Sequence, residues 1–259
     1  MMSLEILNQN VSTESQVSAD AIEFKVADSQ DELEQSYRMV YKAYVAKGFF
    51  APHPSEMRVG IYNMLPETRT FVAKKDNAVL MTLTLIPDSV FGLPMDAIYN
   101  IELDFLRYYG RKIAELSGLA VHNILKGKGM FMFLNLVKLV YFYAKNKDID
   151  DFCIAINPKH QSFYDNILLF EYLGDEKPYP RVQNFPACGR RLNLHGLEER
   201  YRARNKHLYS FLFRQKRPFP QVMSENIVLD DALCSFLDRR VPIEQIREFY
   251  HLPCERLCC

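Results

Sequence analysis

The chain has no excess charge: Lys+Arg and Asp+Glu are both 32 among 259 residues. Net electrostatics therefore give no case for a nucleic-acid or membrane-surface ligand, and only local clusters can supply one. It has no Cys-x-x-Cys pair among its 6 cysteines, Cys153, Cys188, Cys234, Cys254, Cys258 and Cys259. No paired histidines at zinc-site spacing accompany them, so no metal centre is expected. Their scatter suits a reducing cytoplasm better than a disulfide framework. Metal binding or oxidation of the tail cysteines stays open as the lesser alternative, and Cys258-Cys259 is not a four-residue prenylation box. No basic segment followed by an apolar run opens the chain. Residues 1–21, rich in Ser, Asn, Gln and Glu, read as a disordered lead-in rather than a signal peptide. The most apolar stretch, Gly129 to Tyr143, contains Lys138 and is shorter than the ~20 residues a membrane helix needs. No stable membrane insertion is expected, and no internal repeat is visible.

What is present is a run of alternating strand and helix signals. Phe24-Lys25-Val26 is short and β-like. Asp31-Glu32-Leu33 opens a helix, with Ser29 or Asp31 as its cap. Leu33, Tyr37, Val40, Tyr41 and Tyr44 form its apolar stripe, and Gly48 ends it. Phe49 to Pro54 is a turn, because proline forces its predecessor out of helix. Ser55 is expected to cap a short helix through Tyr62. Thr70 to Lys74 and Val79 to Ile86 read as two strands joined at Asp76-Asn77. Met95 to Arg107 is helical or irregular surface. Arg111 to His122 is apolar on both faces and is expected in the middle of a sheet.

After that strand come a glycine turn (LKGKG), a helix apolar nearly all round (MFMFLNLVKLVYFYAK), a strand (DFCIAIN) and PKHQSFYDNILLFEYLG. The helix should be buried against a sheet. Pro158 ends the second strand, and His160 to Phe170 is expected as a helix. Arg190 to Leu194 is a candidate closing strand. A strand feeding a glycine turn that opens a helix is a backbone anion site, since unpaired N–H groups and the helix dipole point at the ligand. Beyond residue 195 the chain becomes densely charged and helical. The expected division is a lead-in (1–21), one mixed α/β (α+β) domain (22–195) and a helical C-terminal extension (196–259).

Three segments, RMVYKAYVAKGFF, IELDFLRYYGRKIAELSGLAVH and NPKHQSFYDNILLFEYLG, make the chain resemble the GNAT N-acyltransferase superfamily. Within it the resemblance is to the long-chain N-acyl amino acid synthases, relatives of the acyl-homoserine lactone synthases, and spans about residues 24–195. It implies a GNAT-like mixed central sheet flanked by helices. It also implies transfer of an acyl group from the phosphopantetheine arm of acyl carrier protein to the α-amine of an amino acid. No cofactor is implied beyond that thioester. A CoA-dependent N-acyltransferase of another amine, and a non-catalytic acyl- or carrier-binding module, are the alternatives. A solvent-exposed Glu115 with no cleft between the central strands would favour the module.

Such a reaction needs a group to take the amine proton, donors for the tetrahedral oxyanion and help for the leaving thiolate. Glu115 lies inside an apolar strand, where an unpaired acid is costly to bury and acquires a partner or a raised pKa. It is either the group that handles the amine or a structural partner of Arg38 or Arg111. Ser117 matches a Ser/Thr of the lactone-synthase relatives, whereas Gly118 replaces their Arg. Ser117 is either a substrate contact or merely a small strand residue. Arg38 matches a helix-borne arginine of the relatives and is a candidate for the amino-acid carboxylate; the alternative is a solvated helix arginine. Tyr164 matches the superfamily tyrosine near the thioester sulfur, a candidate general acid, or is a core aromatic paired with Phe163. Asn157 and His160 are candidate substrate or pantetheine contacts. Gly127, Gly129, Lys126 and Lys128 are candidates for the pantetheine and its carrier, with Arg107, Arg111 and Lys112 adding positive charge. Ile124 stands where CoA-using relatives have Gln or Arg, which favours a carrier-bound pantetheine over a nucleotide. The acyl tunnel is expected to draw on some of Phe131, Phe133, Leu134, Phe211 and Phe213.

Overall fold

The computed structural model describes residues 22–122 and 129–214. Seven strands form one sheet in the order β1-β2-β3-β4-β5-β7-β6. They are β1 (Glu23–Val26), β2 (Arg69–Lys75), β3 (Ala78–Pro87), β4 (Ile113–Val121), β5 (Asp151–Ile156), β6 (Glu171–Tyr179) and β7 (Phe185–Asn193). Every neighbouring pair is antiparallel except β4 and β5. That parallel pair is joined through α4 (Gly129–Asn146), as a parallel connection requires a crossover. Among the described residues the remaining α-helices are α1 (Gln30–Ala46), α2 (Ile61–Met64), α3 (Asp96–Tyr108), α5 (Gln161–Asn166), α6 (Leu197–Arg204) and α7 (Lys206–Tyr209). Among the described residues no helix is long and apolar enough to cross a membrane.

The period-2 alternation of the strands divides the core into two faces. On the front, Val72 and Val79 pack with Leu33, Tyr37 and Val40 of α1. Farther along that face Ile86, Ile113 and Cys153 pack with Tyr99 and Leu103 of α3. On the back, Phe71, Ala73, Met81 and Ala114 pack against Met132, Leu136, Leu139 and Val140 of α4. Ser29 caps α1 through a 3.2 Å bond from the Glu32 N–H, as its sequence position suggests.

Several expectations change. No helix runs from Ser55 to Tyr62. Ser55 instead bonds the His53 ring at 2.8 Å and accepts from the Met57 N–H, and Glu56 has a φ of 51°, which a helix does not tolerate. The helix expected at His160 to Phe170 stops at Asn166. Ile167, Leu168, Leu169 and Phe170 are all buried as a turn into the core, with Leu169 at a φ of 60°. The strand β6 that follows carries no central-strand pattern, because Gly174, Pro178 and its charges are the composition of an edge strand. β7 also begins five residues before the expected Arg190, at Phe185. The C-terminal segment shares the domain's core: Tyr201, Leu208, Phe211 and Leu212 belong to the back cluster, and the buried Lys138 donates to the Phe211 carbonyl at 3.0 Å. Residues 1–21, the turn with Lys126, Gly127 and Lys128, and the tail with Cys234, Cys254, Cys258 and Cys259 lie outside the described residues.

At one end of the β4–β5 pair stands a buried ionic triad. Asp151, with no exposed surface, accepts from Arg111 at 2.5 Å and from Arg191 at 2.7 Å. It ties the start of β4 to β5 and β7. Asp151→Asn should cost about 3 kcal/mol of stability, because both guanidiniums lose their counter-charge in a partly desolvated place. Urea unfolding of variant and parent, compared at constant slope, checks this.

Candidate active site

The ladder between β4 and β5 is short. It pairs Ile113 with Asp151, Ala114 with Phe152 and Glu115 with Cys153, and there it stops. Beyond it Ile154, Ala155 and Ile156 pair only with β7. β4 turns away because its register against β3 slips between Thr82 and Thr84, where Gly118 takes a φ of 63°. A bulge of this kind bends the bulged strand. A side chain is strained at that φ, and its Cβ would also crowd Thr84 Oγ1 at 3.2 Å. The Gly118 that departs from the relatives' arginine is thus the residue at which the strand bends.

Into this fork opens a cavity of about 1610 Å³, larger than the roughly 300–1,000 Å³ of ordinary small-molecule pockets. Leu116, Ser117, Gly118 and Leu119 line one wall, and Ile154, Ala155, Ile156 and Asn157 the other. It runs through the sheet. On the front it is lined by Tyr37, Tyr44, Arg58, Tyr62, Asn63 and Arg181, and on the back by Met130, Phe133, Val137, Tyr141, Leu212 and Phe213. The back is apolar but for Lys138, which donates to the Phe211 carbonyl, and the front carries Arg58 and Arg181.

Glu115 sits at the vertex. Strand alternation places it with Ile113 on the front face. It is only 3% exposed, yet it lines the cavity. Its Oε2 accepts a 2.7 Å bond from the Met95 N–H. Burial pushes the carboxyl up to about 8, against the pull of that bond and of Arg181 and Arg58. Neither arginine proposed as its structural partner reaches it. Arg38 donates to Glu34 at 2.7 Å and to the Ser55 carbonyl at 3.3 Å, and Arg111 is committed to Asp151.

The other candidates separate into those the fold gathers and those it does not. Ser117 lies two residues along β4 and lines the cavity. Tyr164, on α5, lines it from the back and packs edge-on against Phe163 and Phe170, with ring centroids 5.6 and 5.5 Å away. Burial pushes its phenol up to about 12, and among the described residues its hydroxyl has no protein hydrogen-bond partner. Asn157 lines the cavity and caps the turn Pro158–His160 by accepting from the Lys159 N–H at 3.2 Å. His160 lies exposed at the rim. Partial burial, with Lys159 and Lys47, lowers its pKa. Gly129 opens α4 and lines the cavity.

Arg38 is a correction: it is absent from the cavity wall, because Glu34 one helical turn earlier holds it. Arg107 and Arg111 are likewise withdrawn from any carrier-facing patch. Arg107 is held by Asp88, Asp96 and Asp104, and both precede β4, the far end of the strand from α4. Of the expected tunnel residues Phe133 and Phe213 line the cavity, whereas Phe131, Leu134 and Phe211 pack behind it. Sequence reading missed Arg58 and Arg181. Each lies in a proline-rich connection, HPSEMRVG and PYPRVQN, and the local signal was a lone arginine among turn and apolar residues.

Residues 35–193 match the protein family described as N-acyl amino acid synthase FeeM. The solved structure of FeeM, an N-acyl amino acid synthase from uncultured soil microbes, is 30% identical. It aligns at a TM-score of 0.62 over 69% of this chain and 93% of that one. The CoA-dependent acyl-homoserine lactone synthase BjaI, solved with SAM and isopentyl-CoA, aligns at 18% identity and a TM-score of 0.52, over 70% and 88% of the two chains. The acyl-homoserine lactone synthase LasI aligns at 15% and 0.50, over 67% and 89%. At these lower identities the likeness is one of fold. No curated protein sequence matches significantly.

The buried carboxyl gives a test that does not depend on turnover. The folded protein holds Glu115 protonated up to about pH 8, whereas the unfolded chain ionises it near 4.5. Between those values the folded state binds more protons, so this group lowers stability as pH rises and its cost levels off above about 8. Glu115→Gln removes the slope. Measured by denaturant unfolding, the variant should gain on the parent steadily from pH 5 to 8, by on the order of a few kcal/mol. A constant difference across that range would contradict the buried, protonated state.

Proposed function

The chain belongs to the family of the N-acyl amino acid synthase FeeM and is an N-acyltransferase, and from that premise we propose that it moves a long-chain acyl group from acyl carrier protein to the α-amine of an amino acid. The observation that carries this reading is the protonatable Glu115 at the vertex of a cavity whose back is an apolar chamber. The acyl chain lies in that chamber and the thioester in the fork. The acceptor amine approaches from the front. The cleft and the buried Glu115 speak against a non-catalytic binding module.

Glu115 takes the amine proton in its ionised form, roughly a tenth of the population at pH 7 and more as pH rises toward 8. A carboxyl near 8 is matched to an α-ammonium group, whose ordinary pKa is about 7.7–8.0, so the transfer is close to balanced. The amine lone pair attacks the thioester carbonyl and the oxygen becomes an oxyanion. On the β5 side no strand pairs with β4 beyond Glu115, and its backbone N–H groups there are the candidate donors to that oxygen. The C–S bond then breaks, and the second proton leaves the nitrogen for the departing thiolate, so that amide and thiol are the products. Tyr164 remains protonated at neutral pH and offers its hydroxyl to the departing sulfur. A thiol of pKa ~8.5 does not strip the proton from a phenol held near 12, so the tyrosine acts as a hydrogen-bond donor. The scheme calls for no metal or redox group. Gly129 at the start of α4, with Lys126, Gly127 and Lys128 before it, would meet the pantetheine and its carrier, Asn157 and His160 its arm, and Ser117 the amine side.

Acyl-CoA is the second reading for the donor, because BjaI is described as CoA-dependent. Ile124, at the position where CoA-using relatives carry Gln or Arg, favours the carrier protein. The proposed reaction would also be cytoplasmic, as the cysteine pattern suggests.

Expression in a bacterial host followed by mass spectrometry of extracted lipids should reveal N-acyl amino acids. With purified protein, acyl-carrier-protein thioesters should exceed acyl-CoA in kcat/KM. Glu115→Gln should lower kcat roughly 10²-fold or more and remove a rising limb of the pH profile near 8. Absence of product both in cells and from several acyl-carrier thioesters would overturn the reading. Tyr164→Phe should cost about tenfold in kcat, because a thiolate leaves with little help. Stability should change by less than about 0.5 kcal/mol, since the lost hydroxyl has no protein partner.

A further inference from the structure

Two arginines, Arg58 and Arg181, line the front of the cavity. Arg58 lies across two aromatic faces, with its guanidinium carbon 4.6 Å from the Tyr44 ring centre and 5.1 Å from that of Phe50. Its Nη2 donates to the Arg181 carbonyl at 3.4 Å, and its backbone N–H donates to the Tyr37 carbonyl at 3.2 Å. Arg181 stacks over Tyr62 at 5.1 Å. Both arginines line the cavity. Both also act on the ionisation of Glu115, so all three groups share one electrostatic environment.

Among the described residues the acidic groups nearby are committed or neutral. Asp96, on the same wall, is held by Arg107 at 2.6 and 2.8 Å and accepts from the Leu93 N–H. Glu34 and Glu56 face Arg38. Glu115 is protonated at neutral pH. Among the described residues Arg58 makes no ion pair. With one Nη2 hydrogen given to the Arg181 carbonyl, the guanidinium stacked on these rings has further N–H groups to offer a carboxylate, whose geometry the planar fork matches. Burying such a cation without an anion is costly, and a ligand's carboxylate would relieve that cost.

We propose that Arg58, with Arg181 beside it, is the carboxylate subsite of the acceptor, orienting an α-amino acid so that its amine points to Glu115. This rests on amine acylation as the reaction. The subsite replaces Arg38 in the role its position in the sequence suggested. It also explains how the enzyme would take amino acids rather than simple amines: the acceptor supplies the missing negative charge. A phosphate of the acyl donor is the rival ligand for the same arginines. β4 runs on from Glu115 to Val121, roughly 20 Å at 3.3 Å per residue, before the chain reaches Gly129 at the start of α4.

The experiment compares acceptors on the wild-type enzyme first, then on variants. Each of the twenty common amino acids is offered with an acyl-carrier thioester. The best is then compared with its α-amide and with the amine left by decarboxylation. Wild type should prefer the free acid by about 10- to 100-fold in kcat/KM, the worth of hydrogen bonds to a charged group. Arg58→Gln should raise KM for the amino acid by a similar factor, leave KM for the acyl donor within about twofold, and abolish the preference for acid over amide. Arg58→Lys should recover only part of it, because an ammonium lacks the planar fork. Isothermal titration of the best amino acid into each variant reads the subsite without turnover. Wild type that acylates acid, amide and amine equally would overturn the subsite while leaving N-acyl transfer standing. A rise confined to the donor's KM in Arg58→Gln would assign the arginines to the donor phosphate and likewise overturn it. If no amino acid, amide or amine is acylated, the acyltransferase reading fails and the subsite with it.

Discussion

The hydrogen-bond ladder between β4 and β5 ends at Glu115 and Cys153, and the site follows from that early end. Two parallel strands that stayed paired would leave no room between them. Here β4 is held to β3 through a bulge at Gly118, while β5 follows β7 in unbroken register from Asp151 to Ile156. The two halves of the sheet therefore part, and the backbone groups at the parting edge face a cavity rather than one another. Asp151, between Arg111 and Arg191, ties the closed end. The fork is set by one glycine that permits a positive φ and one buried carboxylate that anchors its base.

Because the fork lies inside the sheet, it joins two environments that the sheet elsewhere keeps apart. Behind it α4 and the C-terminal helices supply an apolar wall, and in front α1, α2 and the loops around Arg58 and Arg181 supply polarity. The proposed coupling of a lipid chain to a charged amino acid needs that junction. Glu115 stands on it, with its acidity set by the same burial that shapes the cavity. Were it solvated, it would be an ordinary carboxylate at neutral pH and a poor match for an ammonium group.

Local chemistry explains most of the elements. Ser29, the stripe from Leu33 to Tyr44, the apolar body of α4 and the alternation of β2, β3 and β5 all obey short-range rules. The failures were equally local in origin. β6 carries Gly174 and Pro178 because it is an edge, so it lacks the apolar pattern of a central strand. Ile167 to Phe170 looks helical by composition but is buried as a turn.

The sequence by itself determined the class of fold, the position of Glu115 inside a central strand, the order of strand, helix and strand that builds the site, and, by resemblance, the acyl-transfer chemistry. Periodicity and motif spacing carry such information because they act over a few residues. The tertiary structure alone decided the partners. Arg38 matched a pattern but is held by Glu34 one turn away. Arg58 and Arg181, more than a hundred residues apart, stand at one wall because their loops meet beneath the fork. Side-chain charge is written in the chain, but which charges come to line a cavity depends on how the loops that carry them are packed.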